Sequence, residues 1–397
     1  MISNLRQWYN NNYSEEKYKS FLNCVNTASH YPSDFKISET PVFLSDDFTI
    51  KLLKASGRII DQIVSEDYNK LSLQSVPPAC KVPGNIGKPA FIQLDFAVSK
   101  DQNNDYAPLL VELQGFPSLY CFQSLLARCY RNSFNIPSDY TNYFNGLGDD
   151  AYFIILKDLI IGNHNPENVI LLEIQPEHQR TRIDFSLTEK YLGIKSVCIT
   201  KILKRGKKLY YHNGNKEVLV ERIYNRIVFD ELQNKGIKTD YNFIEEIETE
   251  WVEHPDWFFR ISKYALPFLN GVFIPESYFL HDLEKYPEDL NNFVLKPLYS
   301  FSGHGVNLEV TEDILNNIKD KNNYILQRKI DYVPFIITPD GNAKAEIRVM
   351  YIWPDNSPKP VAVNNLLRLS KGKMLGVAYN KNHTWVGSSV AFHKNMI

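Results

Sequence analysis

The most informative part of the sequence is FVLKPLYSFSGHGV, Phe293 to Val306. An apolar run suited to a buried strand ends at Lys296, and a loop with two glycines, Gly303 and Gly305, follows it. Glycine lets backbone N–H groups approach an anion closely, and a lysine at the strand end adds positive charge. The segment matches neither a Walker A loop nor a G-x-G-x-x-G fingerprint. Taken alone, an ordinary hairpin turn explains it about as well as a phosphate site does.

Two flanking segments add context to this loop. Upstream, HPDWFFRISKYALPFL places Lys263 in an apolar environment. Downstream, YILQRKI predicts a short strand that contains Gln327 and Arg328. A second lysine and a following strand are what a nucleotide site needs for phosphate and base contacts, so both segments favour the phosphate interpretation.

Charged residues also occur inside a later apolar segment. In AEIRVMYIW, Glu346 and Arg348 lie two residues apart and therefore share one face of a predicted strand, Ala345 to Ile352. Arg368 follows in VNNLLRLSKGK, after a predicted strand from Val361 to Asn364. These arginines are candidates for contacts to a bound anion.

An antiparallel hairpin is predicted near the middle of the N-terminal half. Its strands are Phe91 to Val98 (FIQLDFAV) and Pro108 to Leu113 (PLLVEL), separated by a polar turn. Asp95 lies in the first strand, while Glu112 and Gln114 share one face of the second. Buried carboxylates are costly unless they are paired or bind a metal, and Mg²⁺ prefers oxygen ligands. The alternative is a solvated face on which the carboxylates pair with lysine or arginine.

A parallel sheet is predicted between these two regions. The apolar run Val169 to Ile174, the helical pattern Thr181 to Leu192 and the run Ile194 to Thr200 form a strand–helix–strand unit. A hairpin around Asn213-Gly214 follows. Next to this hairpin, ERIYNRIVF contains Arg222 and Arg226, for which salt bridges are a simpler explanation than an acidic substrate.

In their order along the chain, these segments resemble the ATP-grasp superfamily. The order matches the circularly permuted type, which includes glutathionylspermidine synthase and eukaryotic glutathione synthetase. There, a D…E-x-N hairpin binds metal ahead of a Rossmann-like lobe, and two lysines contact the ATP phosphates. The resemblance covers about residues 90 to 395. It implies an α/β ATP-grasp fold and a ligase that uses ATP and Mg²⁺ to join a carboxylate to an amine through an acyl phosphate.

The resemblance also assigns roles to individual residues. The nucleotide-binding set is Lys263, Lys296, Ser302, Gly303, Gly305, Gln327 and Arg328. The metal-binding set is Asp95, Glu112 and Gln114. Gln93 stands where the family has arginine, and Gln114 where it has asparagine. Glutamine cannot supply the missing positive charge, so Arg348 and Arg368 are the candidate catalytic cations. A catalytically altered ATP-binding protein and a small-molecule phosphotransferase remain alternatives.

Four regions and a class of substrate follow from the resemblance. The regions are a helical N-terminal region (1–85), a metal-binding hairpin segment (86–150), a Rossmann-like substrate lobe (151–248) and a nucleotide-binding lobe (249–397). An amphipathic helix is predicted in the first region, from Phe48 to Val64. The expected substrates are a small-molecule carboxylate and an amine, such as an amino acid, a peptide or a polyamine.

Composition limits the partners and the location. Lys and Arg total 44 against 46 for Asp and Glu, a net charge of −2 that argues against nucleic acid. We expect no membrane segment, because no apolar run approaches the length of about 18 residues that one requires. The five cysteines are scattered without a C-x-x-C pair, which favours reduced thiols in a cytoplasmic protein. The oligomeric state is open, with a homodimer as one option.

Overall fold

The computed structural model describes residues 2–228, 232, 236–300, 303–372, 380 and 382–395. The fold is mixed α/β, with several sheets surrounded by helices. The helices of the described residues are α1 (Ser3–Asn12), α2 (Glu15–Thr27), α3 (Asp46–Ile63), α4 (Glu66–Leu71), α5 (Tyr120–Phe134), α6 (Asp149–Ile161), α7 (Arg182–Leu192), α8 (Trp257–Arg260) and α9 (Glu312–Asn316). No helix in this part of the chain is both long and apolar enough to cross a membrane.

Eighteen strands form five sheets within the described residues. In chain order the strands are β1 (Val42–Phe43), β2 (Phe91–Lys100), β3 (Tyr106–Gln114), β4 (Tyr140–Thr141), β5 (Val169–Glu173), β6 (Lys195–Cys198), β7 (Leu203–Arg205), β8 (Lys208–Asn213), β9 (Lys216–Val220), β10 (Arg222–Asn225), β11 (Glu250–Val252), β12 (Ser277–Phe279), β13 (Phe293–Pro297), β14 (Tyr324–Arg328), β15 (Lys344–Ile352), β16 (Val361–Ser370), β17 (Gly387–Ser389) and β18 (Ala391–Lys394).

The largest sheet is antiparallel and has five strands in the order β17-β16-β15-β2-β3. Its β2–β3 pair is the predicted hairpin. Strand β16 is longer than predicted and runs on from Asn364 to Ser370. The asparagines are tolerated inside it because Asn365 donates to the carbonyls of Asn142 and Ala391 and accepts from the Ala391 N–H, which satisfies a buried amide.

A four-stranded parallel sheet lies in the middle of the chain, in the order β11-β10-β5-β6. Helix α7 connects β5 to β6, which pair in parallel as the strand–helix–strand pattern predicted. Gly193 ends α7 with a φ of 78°, a left-handed conformation that glycine adopts without strain. The hairpin around Asn213-Gly214 is also present, as strands β8 and β9.

Two smaller sheets join distant parts of the chain. Strands β12, β14 and β13 form an antiparallel sheet that carries Lys296 and Gln327. Strand β18 pairs in parallel with β1 and antiparallel with β4, so the C-terminal segment packs onto the N-terminal region. The amphipathic helix predicted over 48–64 is α3, whose buried face includes Leu52 and Ile59.

The prediction that all five cysteines are reduced is wrong for two of them. Cys24 in α2 and Cys129 in α5 form a disulfide across 105 residues of sequence, with their Cα atoms 5.8 Å apart. The helices meet through ring contacts such as Phe21 on Tyr130, with centroids 4.1 Å apart, and this packing brings the thiols together. The other three cysteines, Cys80, Cys121 and Cys198, are buried and lie outside the disulfide. Because disulfides persist in oxidising compartments, the pair weighs against a cytoplasmic location.

Candidate functional site

One face of the large sheet carries a cluster of charged residues. Asp95 on β2 lies opposite Glu112 on β3 and opposite Arg348 on β15. Glu346, two residues before Arg348, lies opposite Arg368 on β16. Because residues opposite each other on neighbouring strands project to the same side, four adjacent strands place these five side chains together.

Asp95 is the centre of this cluster and is 1% exposed. Arg348 donates from Nε and Nη2 to its two carboxylate oxygens, at 2.6 and 2.7 Å. Arg368 donates to the same carboxylate from Nη2. Burial alone would raise the pKa of Asp95, but the two guanidinium groups outweigh it and lower the pKa to about 2. Asp95 is therefore ionised and fully engaged with two cations.

Arg348 also reaches Gln93, the position at which the resemblance drawn from the sequence leads us to expect an arginine. Its Nη1 donates to Gln93 Oε1 at 2.8 Å, and the Gln93 amide in turn donates to the Ser118 carbonyl at 3.0 Å. A guanidinium from β15 thus contacts the side chain that replaces the missing cation. This placement is the one expected if Arg348 compensates for Gln93, although its catalytic role stays a prediction.

Both predicted lysines lie against strand β3 of the same sheet. Lys296 on β13 donates to Gln327 Oε1 at 2.5 Å and to the Val111 carbonyl of β3 at 3.1 Å. Lys263 donates to the Ser300 carbonyl at 2.7 Å, and its Nζ lies 3.9 Å from Glu112 Oε2. The predicted metal-binding hairpin and the predicted phosphate-binding residues Lys263 and Lys296 therefore lie next to each other at β3.

Burial lowers the pKa of both lysines. It lowers the pKa of Lys296 to about 8, an effect that the nearby Glu112 carboxylate partly opposes. Burial also lowers the pKa of Lys263, again with Glu112 opposing it. An anionic ligand between the two lysines would raise both pKa values again, because it would pair with both ammonium groups.

The predicted metal ligands differ in their availability. The Glu112 side chain is 24% exposed and accepts from Gln114 Nε2 at 3.3 Å, so its oxygens are within reach of a cation. Asp95 is not free, because both of its oxygens accept from arginines. The described residues contain no group of three or more His, Cys, Asp and Glu side chains placed to hold a metal. Glu112 and Gln114 fit a Mg²⁺ that takes its other ligands from phosphates and water; Asp95 does not.

The remaining nucleotide candidates divide between the cleft and the surface. Ser302 lies outside the described residues. Gly303 and Gly305 have φ values of 72° and 73°, and a Cβ on Gly305 would lie 2.8 Å from Pro297 Cγ, so this turn requires glycine.

Arg328 points away from Lys296 and forms surface ion pairs with Glu276 and Asp289, both at 3.0 Å. Neighbouring strand residues face opposite sides, so Gln327 and Arg328 do not share the cleft.

Two further residues of the site were not selected from the sequence. The Tyr332 hydroxyl donates to Glu346 at 2.7 Å and so completes the charged cluster. Arg226 follows β10 and is 4% exposed, yet its Nε and Nη1 have no hydrogen-bond partner within the described ranges. Its guanidinium lies over the Phe116 ring at 4.6 Å. The salt bridge expected for this arginine is missing there, whereas Arg222 does pair with Glu250, at 3.1 Å.

A small cavity of about 20 Å³ lies next to the cluster. Its walls include Glu112, Gln114, Lys263 and Ser300. The backbone at Gly115 packs closely against the backbone at Trp257 here. A Cβ on Gly115 would lie only 2.6 Å from the Trp257 carbonyl oxygen. The space holds about one water molecule, so a nucleotide would enter only if the β12–β14 sheet moved away from β3.

Comparisons with known proteins support the fold alone. No family model and no curated protein sequence matches the chain. Among solved structures, it is similar to a glutathione synthetase-like effector, GSS30, from Globodera pallida in its apo form. The TM-score is 0.60 at 13% sequence identity, and the match covers 96% of each chain. The chain thus has a mixed α/β fold that resembles that of a glutathione synthetase-like protein.

Proposed function

We propose that the protein is an ATP- and Mg²⁺-dependent ligase that joins a carboxylate to an amine. The observation that carries the proposal is the contact of Glu112 with Lys263, 3.9 Å apart, beside the buried Lys296, which bonds the neighbouring Val111 carbonyl. Glu112 belongs to a hairpin early in the chain, and the lysines belong to a segment far downstream. Acidic oxygen ligands opposite buried lysines are the arrangement that a metal–triphosphate complex requires.

In the proposed reaction the γ-phosphoryl group moves from ATP to an oxygen of the substrate carboxylate, and ADP leaves. The amine nitrogen then attacks the carbonyl carbon, inorganic phosphate leaves with the C–O bond electrons, and the proton that the nitrogen loses goes to the departing phosphate. Lys263 and Lys296 would bind phosphate oxygens and offset the charge that develops there. Mg²⁺, held by Glu112 and Gln114, would supply further charge neutralisation. No covalent bond to the protein is needed.

The arginines would bind the anionic parts of the substrates. Arg348 and Arg368 lie beside Asp95 and Glu346 in the charged cluster and would stabilise the acyl phosphate. Arg226 is buried, and two of its N–H groups have no partner among the described residues, so it is suited to bidentate recognition of a carboxylate. It follows a strand of the parallel sheet, and ligands of such sheets commonly bind at the carboxyl ends of the strands. This supports the proposal that a carboxylate-bearing substrate binds in the proposed lobe 151–248.

Nucleotide binding without turnover is the second candidate. It is favoured by the two arginines on Asp95, which leave one carboxylate fewer for the metal, and by Gln93 in place of arginine. A protein of this kind would bind Mg-ATP and release no ADP. The two candidates therefore differ in one measurable product.

The experiment is an ADP-release assay with Mg-ATP and a panel of amino acids, short peptides and polyamines. We expect ADP release that depends on a carboxylate–amine pair, and loss of at least about 100-fold in Glu112→Gln. The control is Glu284→Gln, which changes an exposed residue of the proposed nucleotide-binding lobe and should retain activity. Tight Mg-ATP binding with no ADP release for any pair would support the second candidate; no binding of Mg-ATP would refute both.

A further inference from the structure

A second and larger cavity, of about 470 Å³, lies beside the edge strand β11. Three parts of the chain enclose it: the loop 83–90, the segment 247–254 and the turn 353–355. It shares no lining residue with the cavity at Glu112. Its volume is within the range of small-molecule sites, about 300–1,000 Å³.

Two tryptophans form part of its wall, Trp251 and Trp353. Trp251 stacks on Phe243 with ring centroids 5.4 Å apart, which fixes its plane. Trp353 is held by its indole N–H, which donates to the Ser357 carbonyl at 3.0 Å. The Trp353 ring already has Lys88 Nζ over it, 5.3 Å from the centroid. Large rings that are held in place offer flat apolar surfaces, which suit an aromatic ligand.

The cavity wall contains more acidic than basic side chains. The bases Lys88 and Arg222 already have acidic partners: Lys88 lies 3.6 Å from Asp355, and Arg222 lies 3.1 Å from Glu250. Two further acids line the cavity, Glu248 and Glu253, and neither has an ion pair within the described residues. The remaining ionisable wall residue is His254. Burial lowers its pKa to about 4, so it is neutral near pH 7. The wall therefore has an excess of acidic groups.

Glu253 has an unusual environment for a carboxyl group. It is 2% exposed, and its Oε2 accepts from the Phe91 N–H at 2.8 Å, whereas Oε1 has no hydrogen-bond partner among the described residues. Burial raises the pKa of this carboxyl well above its ordinary value, which favours the protonated form. A buried carboxyl oxygen without a partner is rare and points to a missing water, ion or ligand.

We propose that this cavity binds a small organic amine with an aromatic body, whose ammonium group pairs with Glu253 and Glu248. The ring would pack against Trp251 and Trp353. On binding, the Glu253 carboxyl loses its proton to solvent and the carboxylate forms an ion pair with the ammonium. The site is separate from the cleft at Lys263 and Lys296 and does not depend on the proposed ligase activity.

The test compares tyramine with tyrosol, in which a hydroxyl replaces the amine of the same aromatic molecule. Titration calorimetry on the full chain should give at least about tenfold tighter binding for tyramine. In buffers of different ionisation enthalpy, tyramine binding should release protons, up to one per molecule bound. Glu253→Gln should weaken tyramine binding by at least about tenfold and abolish the proton release. Glu246→Gln, an exposed acid outside the cavity wall, should leave both unchanged.

Equal affinity for tyramine and tyrosol, or no tyramine binding at about 10 mM, would overturn the proposal. Unchanged tyramine binding in Glu253→Gln would overturn it as well. If Glu253→Gln fails to fold, Trp353→Leu and Glu248→Gln replace it, because both side chains are less buried. Each should weaken tyramine binding, and wild-type affinity in both would refute the site.

Discussion

Lys263 Nζ lies 3.9 Å from Glu112 Oε2, although Glu112 lies in a strand of the large sheet and Lys263 in a distant, helical segment of the chain. Strand β3 supplies the carboxylate, and the segment after α8 supplies the ammonium. A cleft with charge of both signs on opposite walls can hold a metal cation and an anionic phosphate together. The predictions below test how these groups and the fold around them behave.

Nucleotide binding should weaken as the pH rises above about 8. Lys296 has its pKa lowered to about 8, so it is charged near pH 7 and loses its positive charge at higher pH. Loss of that charge removes an attraction for phosphate. The measurement is the Kd for Mg-ATP from about pH 7 to about pH 9.5. Lys296→Gln should bind more weakly at pH 7 and show a flatter profile; an unchanged slope in this variant would assign the pH effect to another group.

Asp95→Asn should destabilise the fold strongly. It leaves the guanidinium groups of Arg348 and Arg368 buried without their carboxylate, at a cost of about 3–5 kcal/mol. The folded-state pKa of Asp95 is about 2, below its ordinary value of 3.8. Its contribution is therefore complete above about pH 4 and is lost as the pH falls through about 2.

Urea unfolding of wild type and Asp95→Asn at several pH values measures this contribution. The difference in the free energy of unfolding should shrink between about pH 4 and about pH 2. Asp282→Asn, an exposed control, should match wild type throughout. A small difference for Asp95→Asn at neutral pH would show that the arginines find other partners.

The disulfide should contribute to stability and be detectable by thiol counting. Unfolded protein without reductant should give three reactive thiols, from Cys80, Cys121 and Cys198, and five after reduction. The bond closes a loop of 105 residues, for which the chain-entropy estimate is about 4–5 kcal/mol. Cys24→Ser should lower the Tm, while Cys198→Ser should change it less. Five reactive thiols before reduction would show that the pair is not bonded.

Local patterns in the sequence predicted the elements that depend on near neighbours. The β2–β3 hairpin follows from two apolar runs around a polar turn, and the β5–α7–β6 unit from a change of period. Boundaries depend on more than local pattern: α5 begins after Leu119 at φ 63° and ends before Asn135 at φ 51°. Those backbone turns are set by tertiary packing, which a local pattern does not contain.

Most contacts between distant segments could not be predicted from the sequence. The order of the motifs suggested that Glu112 and the lysines belong together, and ion pairs of the hairpin carboxylates with lysine or arginine were the alternative, but nothing local indicated which arginines would donate to Asp95. The pairing of β2 with β15, which places Arg348 opposite Asp95, fixes that arrangement. The Cys24–Cys129 bond and the burial of Arg226 likewise depend on which helices and rings pack together.

The most direct test of the shared cleft is a crystal structure with Mg²⁺ and a non-hydrolysable ATP analogue. The account predicts that the β- and γ-phosphates lie between the ammonium groups of Lys263 and Lys296, with the metal on Glu112. It also predicts that the β12–β14 sheet moves away from β3 to admit the nucleotide. An analogue bound elsewhere, or phosphates that contact neither lysine, would contradict the central claim.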